Sequence, residues 1–186
     1  MSYGIFKIGR MEKQLKKKIV LTVIGGILLL FCYYMIFMFS ADNAEESTGI
    51  SRKVTDMLMR AYYKLFGGSS APVVPAGEYV GLVYEDAVRK LAHFVEYMAV
   101  GFLSFGILMM WISAWKKGAG MVLIQLLVSA ALDEFHQYFV PGRYASVKDV
   151  LIDTAGGIMG IAIIVCTKGI KRRWKRTPKQ ESEICS

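Results

Sequence analysis

Both histidines of this chain, His93 and His136, lie within or beside long apolar runs, together with Glu96, Asp133, Glu134, Gln137, Arg143, Asp149 and Asp153. A bilayer core normally excludes such groups, and those retained there mark ligand or ion sites. A carboxylate and an imidazole whose pKa values are driven apart act as general base and general acid, so His93, Glu96, Asp133, Glu134 and His136 are the catalytic candidates. His93, Glu96, His136 and Asp153 also carry the nitrogen and oxygen donors that a divalent metal needs, with one position left for water. In a third use no chemistry occurs: Arg143 clamps a phosphate or carboxylate bidentately while acidic groups hold amines or sugar hydroxyls. Against all three stands a structural use, in which the charges pair with one another and fix helix register.

Any of these uses needs elements that bring the side chains to one level of the membrane. The chain has 186 residues, 54% of them hydrophobic, which sets it apart from ordinary soluble proteins and leaves room for one domain. Ile19 to Phe39 is a run without a charge, long enough to cross a hydrocarbon core of ~30 Å at ~1.5 Å per residue. It exceeds the apolar region of a secretory signal peptide, and Ser40, Ala41 and Asp42 make a poor cleavage site, so an uncleaved signal anchor is expected. Further spans are expected over Leu91 to Ile112, Gly118 to Val140 and Val147 to Cys166. Gly156 and Gly160 in the last of them form a small-xxx-small pair that permits close helix approach.

Most of the 23 lysines and arginines precede the first span, separate the second from the third, or follow the fourth. That alternation is the positive-inside pattern and puts both termini in the cytoplasm. The expected organisation is a basic cytoplasmic segment over 1–18, a four-helix domain over 19–166 and a basic cytoplasmic tail over 167–186. Within the domain, 40–90 is an external stretch too long for a simple turn. In it, Val54, Met57, Leu58, Ala61, Tyr62, Leu65 and Phe66 recur at three- and four-residue intervals opposite Asp56, Arg60 and Lys64, which predicts an amphipathic helix. Gly67, Gly68, Pro72 and Pro75 then break it. The fold class expected is all-α: a polytopic membrane protein with four transmembrane helices and an additional external amphipathic helix.

In this topology the polar residues gather at the outer face. His93, Glu96 and Tyr97 share one face of the second helix, and Asp133, His136 and Gln137 one face of the third. Asp133 and Glu134 are adjacent and cannot meet one partner, so one is expected to line the site while the other is solvated. Pro141 and Gly142 turn the chain, Arg143 follows, and Asp149 and Asp153 re-enter one helical turn apart. Ser40 and Asp42 lie within reach, and Lys90 and Arg89 sit where they can snorkel to the interface. Cys32 and Cys166 differ in depth by roughly 18 Å, beyond the ~7 Å Cα limit for a disulfide.

The string Lys90-Leu-Ala-His93-Phe-Val-Glu96-Tyr97, then Asp133-Glu134-Phe-His136-Gln137 through Pro141-Gly142-Arg143, then Asp149-Val-Leu-Ile-Asp153 through Gly156, resembles the VanZ-like family of membrane proteins. So does the stretch from Phe39, Ser40 and Asp42 to Ser47. The resemblance runs from Leu21 to Cys166, and at Asp153 this chain carries a carboxylate where many members carry Asn. It implies a helical membrane protein, in a family whose founding member is associated with resistance to teicoplanin, a glycopeptide with a lipid tail. The matched positions are Lys90, His93, Glu96, Tyr97, Asp133, Glu134, His136, Gln137, Arg143, Asp149 and Asp153. Of these, Lys90, Tyr97, Gln137, Arg143, Asp149 and Asp153 are expected to bind ligand.

The expected molecule is a multi-pass cell-membrane protein with an outward-facing polar pocket, contributing to low-level lipoglycopeptide resistance by limiting antibiotic binding or modifying an envelope component. The alternative is a membrane-embedded hydrolase or transferase, with or without a divalent metal, acting on a lipid-linked or cell-wall substrate. Membrane lipid and a lipid-linked precursor or lipoglycopeptide are the expected partners, and a bundle this thin leaves room for a homodimer. Nucleic acid is not expected despite the net charge of +8, because the basic residues border spans and no binding motif accompanies them.

Overall fold

The computed structural model describes the backbone of residues 2–41, 57, 64 and 78–174, and the side chains of 9–41, 57, 64 and 86–167. Among them four helices follow one another: α1 (Ser2–Ala41), α2 (Glu78–Trp111), α3 (Trp115–Gln137) and α4 (Val147–Trp174). Each holds a stretch long and apolar enough to cross a membrane, namely Gly9–Ala41, Asp86–Trp111, Trp115–Gln137 and Val147–Thr167. The amphipathic helix expected over 54–66 lies outside the described residues, except that Met57 and Lys64 are helical and exposed.

Helix ends depart from the charge-free runs for local reasons. α1 continues through its basic segment, where Lys16 and Glu12 pair at 2.7 Å one turn apart, a spacing that supports an exposed helix. α2 begins at Glu78 rather than Leu91. Its charged turn is helical because Asp86 meets Arg89 and Lys90, each at 2.7 Å, at the i+3 and i+4 positions. α3 stops at Gln137 rather than Val140, since the ring of Pro141 disfavours helix in the residue before it. Tyr138, Phe139 and Val140 close the end with backbone bonds to Glu134, His136 and Gln137, and Gly142 supplies the positive φ of 79° that reverses the chain. Ser146 caps α4, its hydroxyl accepting the Lys148 N–H at 3.2 Å.

α2 is the centre of the bundle and packs most closely on α4. A Cβ on Gly156 would run into the Phe94 carbonyl, one on Gly160 into the backbone at Met98 and Phe102, and one on Gly101 into Gly157. The pair expected from spacing thus has its counterpart in Gly101, and together these residues let two backbones touch, as small residues do in membrane helix pairs. Tyr97, Val100 and Phe105 from α2, Val122, Leu126 and Ala130 from α3, Ile161 and Ile164 from α4, and Ile36 from α1 form the core. α1 is the most peripheral helix, with most of its large apolar side chains exposed to where lipid would lie. Polar bonds tie it in: Trp111 Nε1 donates to Thr22 Oγ1 at 2.9 Å, and Gln125 Nε2 donates to Tyr33 Oη at 3.0 Å and Ser104 Oγ at 2.9 Å. One glutamine on α3 therefore links α1, α2 and α3 at mid-span.

A polar pocket at one end of the bundle

The glycine contact between α2 and α4 sets the site. Gly156 lies against Phe94, so Asp153, almost one turn before Gly156, comes within about 3 Å in depth of His93, the neighbour of Phe94. α3 brings Asp133 to the same point. One ligand atom from each of His93, Asp133 and Asp153 lies within 4.8 Å of the others, and all three residues are buried. Asp153 is 2% exposed, lines the pocket, and makes no hydrogen bond or ion pair among the described residues. Such a carboxylate is costly at this depth unless a ligand or cation meets it.

The surrounding side chains orient this trio. Glu96 Oε2 stands 3.4 Å from His93 Nδ1, and the imidazole also feels Asp153 and Asp133 electrostatically. Gln137 Nε2 donates to Asp133 Oδ2 at 3.1 Å and to Ser40 Oγ at 3.3 Å, joining the end of α1 to the end of α3. Arg143 Nη2 donates to the Phe39 carbonyl oxygen at 2.7 Å, which ties the α3–α4 turn back to α1. Lys90 Nζ bridges Asp86 at 2.7 Å and Asp149 at 3.6 Å, joining α2 to the first turn of α4. Tyr97, fully buried below this layer, belongs to the core.

Glu134 corrects the expectation that one of the two adjacent carboxylates is solvated. It is 5% exposed and Asp133 is 9% exposed. Adjacent residues on a helix point ~100° apart, and here each direction has its own partner. Asp133 faces Gln137 and the α2–α4 seam, while Glu134 Oε2 accepts the Ser146 N–H at 2.7 Å from the turn. His136 is not in the convergent trio: its ring lies against Phe37, centroids 4.7 Å apart. It sits almost a turn beyond Asp133, closer to the helix end.

These groups enclose an open pocket of about 240 Å³ whose walls include Arg89, Lys90, Arg143 and Tyr144, with His93, Glu134 and Asp153 further in. Tyr144 is 88% exposed, and Phe135, Tyr138 and Phe139 are exposed beside it. Phe139 makes edge contacts to both Phe135 and Tyr138 at 5.1 and 5.4 Å, an aromatic cluster of the kind found at membrane interfaces. Asp86 and Ser146 also line the pocket and were not singled out by their types. The Asp86-x-x-Arg89-Lys90 spacing was a readable signal for the first, whereas Ser146 contributes a backbone N–H, which any residue but proline has. Asp42 lies outside the described residues.

Residues 26–168 match the model of the family described as VanZ/LLP1. Comparison with the curated proteins and with the solved structures gives no match.

Proposed function

The chain belongs to the VanZ/LLP1 family, and we propose that its pocket opens at the outer face of the cell membrane and takes the polar head of an envelope amphiphile, foremost a lipid-linked cell-wall precursor. By holding or altering that head it lowers the effect of lipoglycopeptides such as teicoplanin, giving low-level resistance. The outward direction rests on the basic residues flanking the opposite ends of the spans.

The observation that carries this function is the meeting of buried ionisable side chains from three helices in one open pocket. Its size favours a small head group over a whole glycopeptide. About 240 Å³ falls below the ~300–1,000 Å³ usual for drug-sized ligands, so a whole glycopeptide does not fit while a phosphate or amine head does. The exposed aromatics next to the opening suit the apolar part of an amphiphile lying in the interface. Expression in a teicoplanin-susceptible host is the test. His93→Ala, Glu96→Ala and Asp133→Ala are expected to abolish the resistance gained with the wild type at equal membrane levels, while Leu151→Ala, on the exposed face of α4, keeps it. Unchanged resistance in all three pocket variants rejects the pocket's role.

A second function is favoured by the convergence of imidazole and carboxylates: acid–base hydrolysis or group transfer at the bound head. Turnover of a lipid-linked substrate by the purified protein, lost in His93→Ala, is the expected result for that function. Stoichiometric binding without turnover assigns the pocket to binding alone.

A further inference from the structure

Carboxylates gather around His93 at the inner side of the pocket, while the buried Arg143 on the same wall holds the Phe39 carbonyl. Glu96, Asp133, Glu134 and Asp153 surround His93, whereas Lys90 and Arg89 are engaged with Asp86 and Asp149 at the rim. Glu134 is occupied by the Ser146 N–H. Asp153 is almost completely buried, faces the pocket, and meets no donor among the described residues. A carboxylate withdrawn from water in this way stays ionised only where a cation or donor meets it.

We propose that His93, Asp133 and Asp153 form a divalent-cation site at the inner end of the pocket, with Glu96 steadying the imidazole and Gln137 the Asp133 carboxylate. Glu96 beside Nδ1 leaves Nε2 as the liganding nitrogen, the carboxylate–histidine–metal arrangement in which an outer carboxylate fixes ring orientation. Gln137, bonded to Asp133 Oδ2, does the same for a liganding carboxylate. Two donors at ~2.1 Å around a tetrahedral ion stand roughly 3.4 Å apart. One ligand atom from each of the three residues lies within 4.8 Å of the others, so side-chain rotations bring the three groups to a shared ion.

One imidazole and two carboxylates form a mixed nitrogen–oxygen set, which suits Zn²⁺ or Mn²⁺ better than the all-oxygen shells of Ca²⁺ or Mg²⁺. Three protein ligands leave at least one position facing the pocket. An anionic oxygen of a phosphate- or diphosphate-bearing head group fills it, with Arg89, Lys90 and Arg143 on the surrounding wall. The cation site rests on the pocket described above, since both use His93 and Asp133, but the two fail separately.

The test uses the untagged full chain, purified in detergent and stripped of metal, titrated with Mn²⁺ by electron paramagnetic resonance and with Zn²⁺ by calorimetry. One ion per chain is expected. Asp153→Asn and His93→Gln are expected to lower affinity at least 100-fold, Glu96→Gln by about 10- to 100-fold, and Leu151→Ala, on the exposed face of α4, not at all. Gel filtration and thermal unfolding check each variant, and Glu96→Gln, which leaves all three ligands in place, serves where a ligand variant misfolds. Absence of saturable binding of either ion by the wild type, or wild-type affinity in folded Asp153→Asn, overturns the site. Loss of resistance in His93→Ala with no ion bound by the wild type removes the cation and keeps the pocket; one ion per chain with resistance unchanged in the pocket variants does the reverse.

Discussion

Replacing Gly156 by alanine tests how the bundle builds its pocket. The new Cβ would overlap the Phe94 carbonyl oxygen and stand 3.0 Å from its carbon, where ordinary carbon contacts are ~3.5–4.0 Å. The obstacle is backbone, which cannot rotate away, so α2 and α4 must part by about 1 Å. Overpacking of this kind costs up to ~3 kcal/mol, against which alanine's helix preference returns ~1 kcal/mol. A net loss of about 2 kcal/mol remains. Gly120→Ala is the matched control: its Cβ meets nothing within 4 Å, so only the gain of ~1 kcal/mol applies. The two variants should then differ by about 3 kcal/mol, or roughly 6–12 °C in Tm for a chain of this size. Thermal unfolding in one detergent, followed by tryptophan fluorescence, reads the difference. The same 1 Å draws Asp153 away from His93, and Mn²⁺ affinity should fall with Tm. A Gly156→Ala protein as stable as Gly120→Ala would refute the close α2–α4 seam and the placement of Asp153 that follows from it.

Glu134→Ala removes the acceptor of the Ser146 N–H, leaving a donor unmet at a cost of ~1–3 kcal/mol; hydrogen exchange at Ser146 and the start of α4 should accelerate while the centre of α2 keeps its protection. Gln125→Leu deletes the bonds to Tyr33 and Ser104, and at ~0.6–1.7 kcal/mol for an interhelical bond in a membrane it should lower Tm by a few degrees without changing ion affinity, since the site lies toward the end of the bundle.

The four spans were legible because each run is long and nearly free of charge, and the last begins at Val147 as its apolar run indicated. The start of α2 was hidden by Asp86, Arg89 and Lys90, which a charge-free window excludes although their spacing pairs them along a helix. The end of α3 was overrun because apolar Tyr138, Phe139 and Val140 extend the hydrophobic run past the point where Pro141 forbids helix. At the site, the i+3 and i+4 spacings put His93 with Glu96, Asp133 with Gln137, and Asp149 with Asp153 each on one helix face, and the structure brings His93, Asp133 and Asp153 together. The spacings could not choose between Asp133 and His136, which share a face but differ in depth by about 4.5 Å. His136 lies beside Phe37 and Asp133 joins His93 and Asp153. Nor could spacing foresee that Glu134 serves a backbone N–H, an acceptor role with no side-chain signature in the partner.

The most direct measurement of the central claim, a polar pocket at the outer face, is cysteine labelling in intact cells. In a background with Cys32, Cys166 and Cys185 replaced by serine, Tyr144→Cys at the pocket mouth and Lys116→Cys at the opposite end of α3 are treated with a membrane-impermeant maleimide. Labelling of Tyr144→Cys in intact cells, and of Lys116→Cys only after permeabilisation, is the predicted result. Labelling of Lys116→Cys alone in intact cells would turn the pocket toward the cytoplasm and contradict the account.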